Sequence, residues 1–75
     1  MRNVNDFKIF CKTDEIKLAM VEKLFGIENF ANATHYSYNQ IYQTINSQRG
    51  VSMQCAKSYC KQLDKTFNEI FEVRK

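Results

Sequence analysis

The sequence predicts an all-α fold, a compact bundle of about five short helices, and three observations predict it. Apolar residues recur in short successive runs at i, i+3, i+4 and i+7, as Ile27, Phe30, Ala31 and Thr34 do, which is the spacing of one helix face. Thr13, Ser37, Ser52 and Thr66 stand at the heads of such runs, where a side-chain oxygen can accept from the free N–H groups of a first turn. With two glycines, no proline, and no repeat or linker in 75 residues, the connections are short and consecutive helices must meet at steep angles in one body.

The first segment, Arg2 to Lys12, reads two ways. Val4, Phe7 and Phe10 or Cys11 are spaced for a short helix, whereas Phe7, Ile9 and Cys11 alternate as an extended strand would. Residues 1–14 are therefore an N-terminal arm or a short extra element ahead of a domain spanning 15–72. In either form Phe7, Ile9 and Phe10 are too apolar to be left in water, so the segment docks on the domain or on a second subunit.

Thr13 then offers a cap for a helix from Asp14 to about Phe25, with Asp14 and Glu15 in the first turn, where the helix dipole favours negative charge. Its apolar residues Ile16, Leu18, Ala19, Met20, Val21, Leu24 and Phe25 cover more than one face, as in a helix sandwiched between neighbours, and Gly26 is expected to end it. A second helix follows over 27–35. Tyr36-Ser37 interrupts its pattern, and Ser37 caps a third that buries Ile41 together with Thr44 or Ile45. After the polar turn at 47–51, Ser52 caps a fourth, Met53 to Leu63, whose inner face is Met53, Ala56, Tyr59, Cys60 and Leu63. Lys57, Lys61 and Lys65 form a stripe on its outside. Thr66-Phe67-Asn68-Glu69 has the form of a capping box and opens a last short helix that returns Phe67, Ile70 and Phe71 to the core. The tail from Glu72 to Lys75 is expected to fray.

Bulk properties narrow the function classes. At 44% hydrophobic and 25% charged residues the chain is globular in composition. No apolar run approaches the roughly 20 residues needed to cross a bilayer, and the N-terminus lacks the apolar core of a signal peptide; a cytoplasmic protein with no membrane partner is expected. Cys11, Cys55 and Cys60 are an odd set at no metal-ligand spacing. Cys55 and Cys60 share one helix and cannot be bridged without distorting it, so reduced core-filling thiols are the expected state. The lone histidine, His35, has no nucleophile or carboxylate near it in sequence, and no glycine-rich phosphate loop occurs. The sequence accordingly predicts no catalysis, no cofactor and no metal. A net charge of +3 permits nucleic-acid binding without demanding it.

The third helix carries the residues that point to a function. Opposite its buried side lie Tyr38, Asn39, Tyr42, Gln43 and Asn46, rich in amides and phenols and without charge. Planar amides can each donate and accept, which suits a surface that reads hydrogen-bond patterns; the same residues also make an ordinary polar exterior.

The order of features resembles the Cro and phage-repressor (XRE-like) helix-turn-helix family. Phe30-Ala31, Tyr36-Ser37 and Ile41 look like the leucine-alanine, small-turn, valine-serine and isoleucine positions of its helix-turn-helix. Val51-Ser52-Met53 through Ala56, Tyr59 and Leu63, and then Thr66-Phe67-Asn68-Glu69-Ile70-Phe71, resemble its closing helices. The likeness covers about residues 15 to 72. Ile27 stands where the family often has a glutamine that braces a phosphate, His35 where the turn usually has glycine, and Val51 where proline is usual; the linker after the third helix is one residue short.

The resemblance implies a lambda-repressor-like fold and a sequence-specific transcriptional regulator that places helix 37–46 in the major groove of double-stranded DNA. It makes Tyr38, Asn39 and Gln43 the base-contacting candidates, and Ser37, Gln40, Asn46, Gln48 and Arg49 the backbone-contacting ones. It further implies a homodimer on a two-fold site, joined through the N-terminal segment or the last helix. The rival reading is a protein-binding module on the same fold, of the antirepressor, antitoxin or anti-CRISPR kind. Tyr36, Tyr38 and Tyr42 would suit such an interface, and so would the scarcity of Lys and Arg on the third helix.

Overall fold

The computed structural model describes residues 7–75; Val4, one of the spacing positions of the arm, lies outside them. In order the chain forms β1 (Lys8–Cys11), α1 (Thr13–Glu22), α2 (Ile27–Thr34), α3 (Tyr38–Ile45), α4 (Met53–Leu63), α5 (Phe67–Ile70) and β2 (Phe71–Arg74). The fold is thus mostly helical, but the all-α expectation is corrected by a two-stranded antiparallel sheet that joins the two ends of the described chain.

The sheet arises because the alternation of Phe7, Ile9 and Cys11 prevails over helical spacing once a partner strand is present. Four residues do not make a stable strand alone; β2 supplies the second row, with Ile9 opposite Val73 and Cys11 opposite Phe71. Cys11 and Phe71 are buried and form the floor of the core. On the reverse side the Arg74 guanidinium lies 4.3 Å over the Phe10 ring, and its Nε donates to Glu72 Oε2 at 2.6 Å. The tail therefore does not fray as expected: residues 71–74 are a paired strand. Val51 adds an isolated bridge on the other side of β1, its N–H donating to the Ile9 carbonyl at 2.9 Å. The close approach explains Gly50, where a Cβ would lie 3.3 Å from that same carbonyl oxygen.

Two details of α1 differ from expectation. Lys12, not Thr13, holds the cap position, without a side-chain cap bond. The Thr13 hydroxyl instead lies 3.1 Å from Ser47 Oγ, which donates to the Cys11 carbonyl at 2.7 Å, so the start of α1 is tied to the turn after α3. The helix buries one face, Ile16, Ala19 and Met20. It is not sandwiched: Leu18, Val21 and Leu24 are 57, 67 and 87% exposed.

Gly26 does not end α1 but heads α2, with φ −81°. The left-handed residue that stops α1 is Leu24, and His35, Ser47 and Asp64 play the same part after α2, α3 and α4. In each case the next N–H reaches back five residues: Phe25 to Met20, Tyr36 to Ala31, Gln48 to Gln43 and Lys65 to Cys60. These are Schellman closures made without glycine, at positions where an L side chain is strained by roughly 1–2 kcal/mol.

The core is centred on Tyr59, fully buried. Phe30 meets its ring edge-on at a centroid distance of 5.0 Å, and Phe71 stacks on it at 6.0 Å. On α4 the buried set is Cys55, Ala56, Tyr59 and Leu63. Met53 is corrected from the inner face to the surface, 59% exposed, since Ser52 Oγ accepts from Cys55 N–H and so fixes a rotation that turns Cys55 inward. The Lys57 and Lys61 side of α4 faces out. Lys65 is held at 3.5 Å from Glu22 and 3.9 Å from Glu69. At the head of α5 the Thr66 N–H and hydroxyl donate to Glu69 Oε1 at 3.1 and 2.9 Å, and those two bonds hold the Glu69 carboxyl below its usual range. Among the described residues no helix is long and apolar enough to cross a membrane.

Candidate functional site

The most distinctive polar surface is built by α2, the three-residue turn His35-Tyr36-Ser37, and α3. Local chemistry sets its shape. Thr34, buried at the end of α2, returns its hydroxyl to the Phe30 carbonyl at 2.8 Å, so it terminates the helix without an unmet donor. His35 turns the chain through φ 62°. Ser37 then takes an extended conformation, and its Oγ accepts from the Gln40 N–H at 3.1 Å, satisfying one of the free donors at the head of α3.

The rotation of α3 is fixed from beneath. Ile41, Thr44 and Ile45 are all buried, and Thr44 does more than fill space. Its Oγ1 donates to the Ile41 carbonyl at 3.1 Å and lies 2.8 Å from the Tyr59 hydroxyl. Since Tyr59 also packs on Phe30 of α2 and on Tyr36 of the turn, the latter at 6.1 Å, one buried phenol holds both helices and their connection against α4. Burial pushes that phenol's pKa up, which keeps it a neutral hydrogen-bonding group. Sequence spacing places Tyr59 inside but gives no sign that its hydroxyl braces α3; a buried Tyr opposite a buried Thr is visible only once the helices are assembled.

The opposite face of α3 is open. Tyr38, Asn39, Tyr42 and Gln43 are exposed, Gln40 and Asn46 half-buried. Asn39 and Gln43 are one turn apart, about 6 Å along the axis, so their amides project side by side. The Tyr38 and Tyr42 rings stack beside them at 6.5 Å and 11° between planes, forming a ridge that holds both phenols out of the core. Asn46 is less free than its neighbours, because its Nδ2 donates to the Tyr42 carbonyl at 2.9 Å. Gln48 and Arg49 lie exposed in the turn after α3. The structure thus brings Tyr38, Asn39 and Gln43 onto one surface, with Ser37 and Gln40 at its head and Asn46, Gln48 and Arg49 at its foot.

Charge is sparse on this surface. All 11 Lys and Arg residues lie outside 24–48, and Glu28 is the single formal charge within it; Lys23 and Arg49 bracket the stretch. The histidine is exposed at the turn. Among the described residues no three His, Cys, Asp or Glu side chains gather as metal ligands.

Cys11 and Cys55 are core groups, and Cys60 is half-buried. Burial pushes Cys11 up to about 12, with Cys55 adding to the shift, and burial likewise raises Cys55 and Cys60. All three stay protonated at neutral pH, the unreactive form.

A second concavity lies elsewhere: an apolar groove of about 1150 Å³ between the sheet and α4, lined by Phe7, Ile9, Met53, Cys60, Phe67 and Val73 among others, with Lys57 and Lys65 at its edge. None of its lining residues belongs to α2 or α3. Compared with family models, with curated proteins and with solved structures, the chain matches none of them.

Proposed function

We propose that this chain is a sequence-specific DNA-binding regulator of the phage or prophage repressor/Cro type, working in the cytoplasm as a homodimer, with α3 lying in the major groove. The observation that carries the reading is the pairing of two exposed amides, Asn39 and Gln43, on a helix whose rotation is locked by Ile41, Thr44 and Ile45 below. An amide side chain can meet adenine with one donor and one acceptor, each such pair contributing about 1–3 kcal/mol of discrimination. Tyr38 stands at the N-terminal end of α3, the end that reaches base edges in this docking mode. Ser37, Gln40, Asn46, Gln48 and Arg49 are assigned to phosphates, where contacts fix register and carry no sequence information.

A second reading, a module that binds a partner protein through the same face, is favoured by the lack of any cation between Lys23 and Arg49 and by the exposed Tyr38–Tyr42 stack, tyrosine being enriched at binding hot spots. The salt dependence of retention on mixed genomic DNA separates the two. The regulator is retained at low salt and released as salt rises, and replacing Asn39 and Gln43 together by Ala abolishes site preference while leaving the melting temperature nearly unchanged. No retention at any salt, with a stable complex formed instead with a protein from the same operon, replaces this reading with the second.

A further inference from the structure

The apolar groove between the sheet and α4 takes no residue from α2 or α3, and its two walls differ. Side chains alternate faces along a strand, so Ile9 and its cross-strand partner Val73 line the groove while Lys8, Phe10, Glu72 and Arg74 belong to the reverse face. The sheet wall is therefore apolar as far as its end, where Lys75 Nζ lies 6.0 Å over the Phe7 ring. Phe7, Val73 and, across the groove, Met53 are all exposed. The α4 wall is basic. Lys57 lines it, Lys61 follows one turn on, about 6 Å along the axis, and Lys65 lines the groove just past the helix end. Lys57 and Lys61 make no ion pair among the described residues, and Lys65 stands 3.5 Å from Glu22 and 3.9 Å from Glu69. Among the described residues no Asp or Glu lines the groove.

We propose that this groove is the docking site for an amphipathic helix of a partner protein, which lays its apolar face between the sheet and α4 and carries acidic residues along the flank that meets α4. Two features select that occupant. The groove, about 1150 Å³, exceeds the roughly 300–1,000 Å³ of a small-molecule site, and it suits a row of apolar side chains at i, i+3, i+4 and i+7 from a helix laid along it. The cations of the α4 wall recur at every fourth residue, so glutamates at every fourth residue of a helix running beside α4 keep step with them, each advancing about 6 Å per turn. The other flank of the incoming helix meets Phe7 and Val73 and needs no charge, so the acids belong on one side alone. This docking accounts for the lysine stripe that the reading of α3 leaves unused, and it goes beyond that reading without depending on it.

The chain has no tryptophan, so a peptide carrying one reports its own burial. The probe is a synthetic peptide of about 15 residues, long enough to be helical, with leucines and one tryptophan at helical spacing and glutamates along one flank; a control peptide has lysine in place of each glutamate. Titrated into the full chain without DNA, the glutamate peptide binds saturably with a blue shift of its emission, and the lysine peptide does not. Lys57→Glu combined with Lys61→Glu turns two attractions into repulsions, weakening the glutamate peptide about tenfold or more and admitting the lysine peptide. Met53→Glu sets an acid in the first turn of α4, where the helix dipole accepts it, so the melting temperature holds while glutamate-peptide binding is lost. Absence of saturable binding, equal binding of the two peptides, or a double variant that binds as the parent does overturns the proposal. So does sodium dodecanoate binding where the peptide fails, which assigns the groove to a small amphiphile, and so does self-association that Met53→Glu dissolves, which puts a second copy there. No step involves nucleic acid, so a chain that fails to retain DNA counts against the regulator reading and leaves this docking site standing.

Discussion

The Thr44–Tyr59 hydrogen bond is predicted to be the main polar tie between α3 and the body, and a double-mutant cycle measures it. Both hydroxyls are buried and 2.8 Å apart, and among the described residues no buried side-chain polar atom lacks a partner. Tyr59→Phe removes one hydroxyl and leaves Thr44 still donating to the Ile41 carbonyl, so the loss is that of one net hydrogen bond, about 1 kcal/mol. Thr44→Val keeps the shape but strips the Tyr59 hydroxyl of that bond in an apolar site, which costs about 1–3 kcal/mol. The double variant removes both groups and leaves neither stranded. It is therefore less destabilised than the sum of the single variants, by about 1–2 kcal/mol. Urea unfolding followed by circular dichroism reads all four proteins, with the m-value required to stay constant so that the differences are differences in stability. In a chain of this length total stability is of the order of 5 kcal/mol, so each step is a large, measurable shift in midpoint. Additivity within about 0.5 kcal/mol would show that the two hydroxyls act independently and would refute the mounting role assigned to Tyr59.

Two further outcomes follow from the helix ends. His35→Gly relieves a left-handed residue at φ 62° whose side chain is exposed; the variant is expected to raise stability by about 1 kcal/mol after the larger entropy of an unfolded glycine is deducted, and a lower urea midpoint would contradict this. Glu69 is held below its ordinary value of 4.5 by its bonds from Thr66. Its contribution is therefore complete above that value and drains away as pH falls from 4.5 toward the folded-state value, where the unfolded chain binds the extra proton. Glu69→Gln should flatten that part of the acid limb, and an acid limb identical to that of the parent chain would show that Glu69 contributes nothing there.

The parts of this fold that were legible in the sequence are those fixed within one or two turns. Ser37 and Ser52 are read as caps and act as caps, and Ile41, Thr44 and Ile45 set the rotation of α3, so the outward placement of Asn39 and Gln43 follows from local spacing. What escaped is what needs a distant partner. Four residues of β2, Phe71-Glu72-Val73-Arg74, are too few for alternation to compete with the helical signal of the capping box just before them, and the strand exists because β1 arrives from the other end of the chain. Leu24 illustrates a second kind of miss. A glycine two positions later looks like the helix stop, but the backbone turns left-handed at Leu24, an apolar residue that spacing alone assigns to the core and that the structure leaves 87% exposed.

The charge distribution bears on how the proposed reading head has to work. A binder that draws its affinity from phosphates concentrates Lys and Arg around its recognition helix, and its binding falls about 0.9 log units per log unit of salt for each phosphate neutralised. Here the 11 cations lie outside 24–48, and Lys23 and Arg49 are the nearest to α3 in sequence. With about two neutralised phosphates per copy the slope would be near −2 for one chain and near −4 for two. If the chain binds DNA as proposed, the non-specific term would then be small, and the two amides would carry a larger share of the binding than they would on a basic helix. Such a head would be selective but weak, and would become useful with two copies held at a fixed spacing, because the second then binds as an intramolecular event. On this argument the slope itself is diagnostic. A value near −4 is the expected result for two copies, whereas a slope as steep as about −10 would mean that cations remote from α3 dominate and that Asn39 and Gln43 are bystanders.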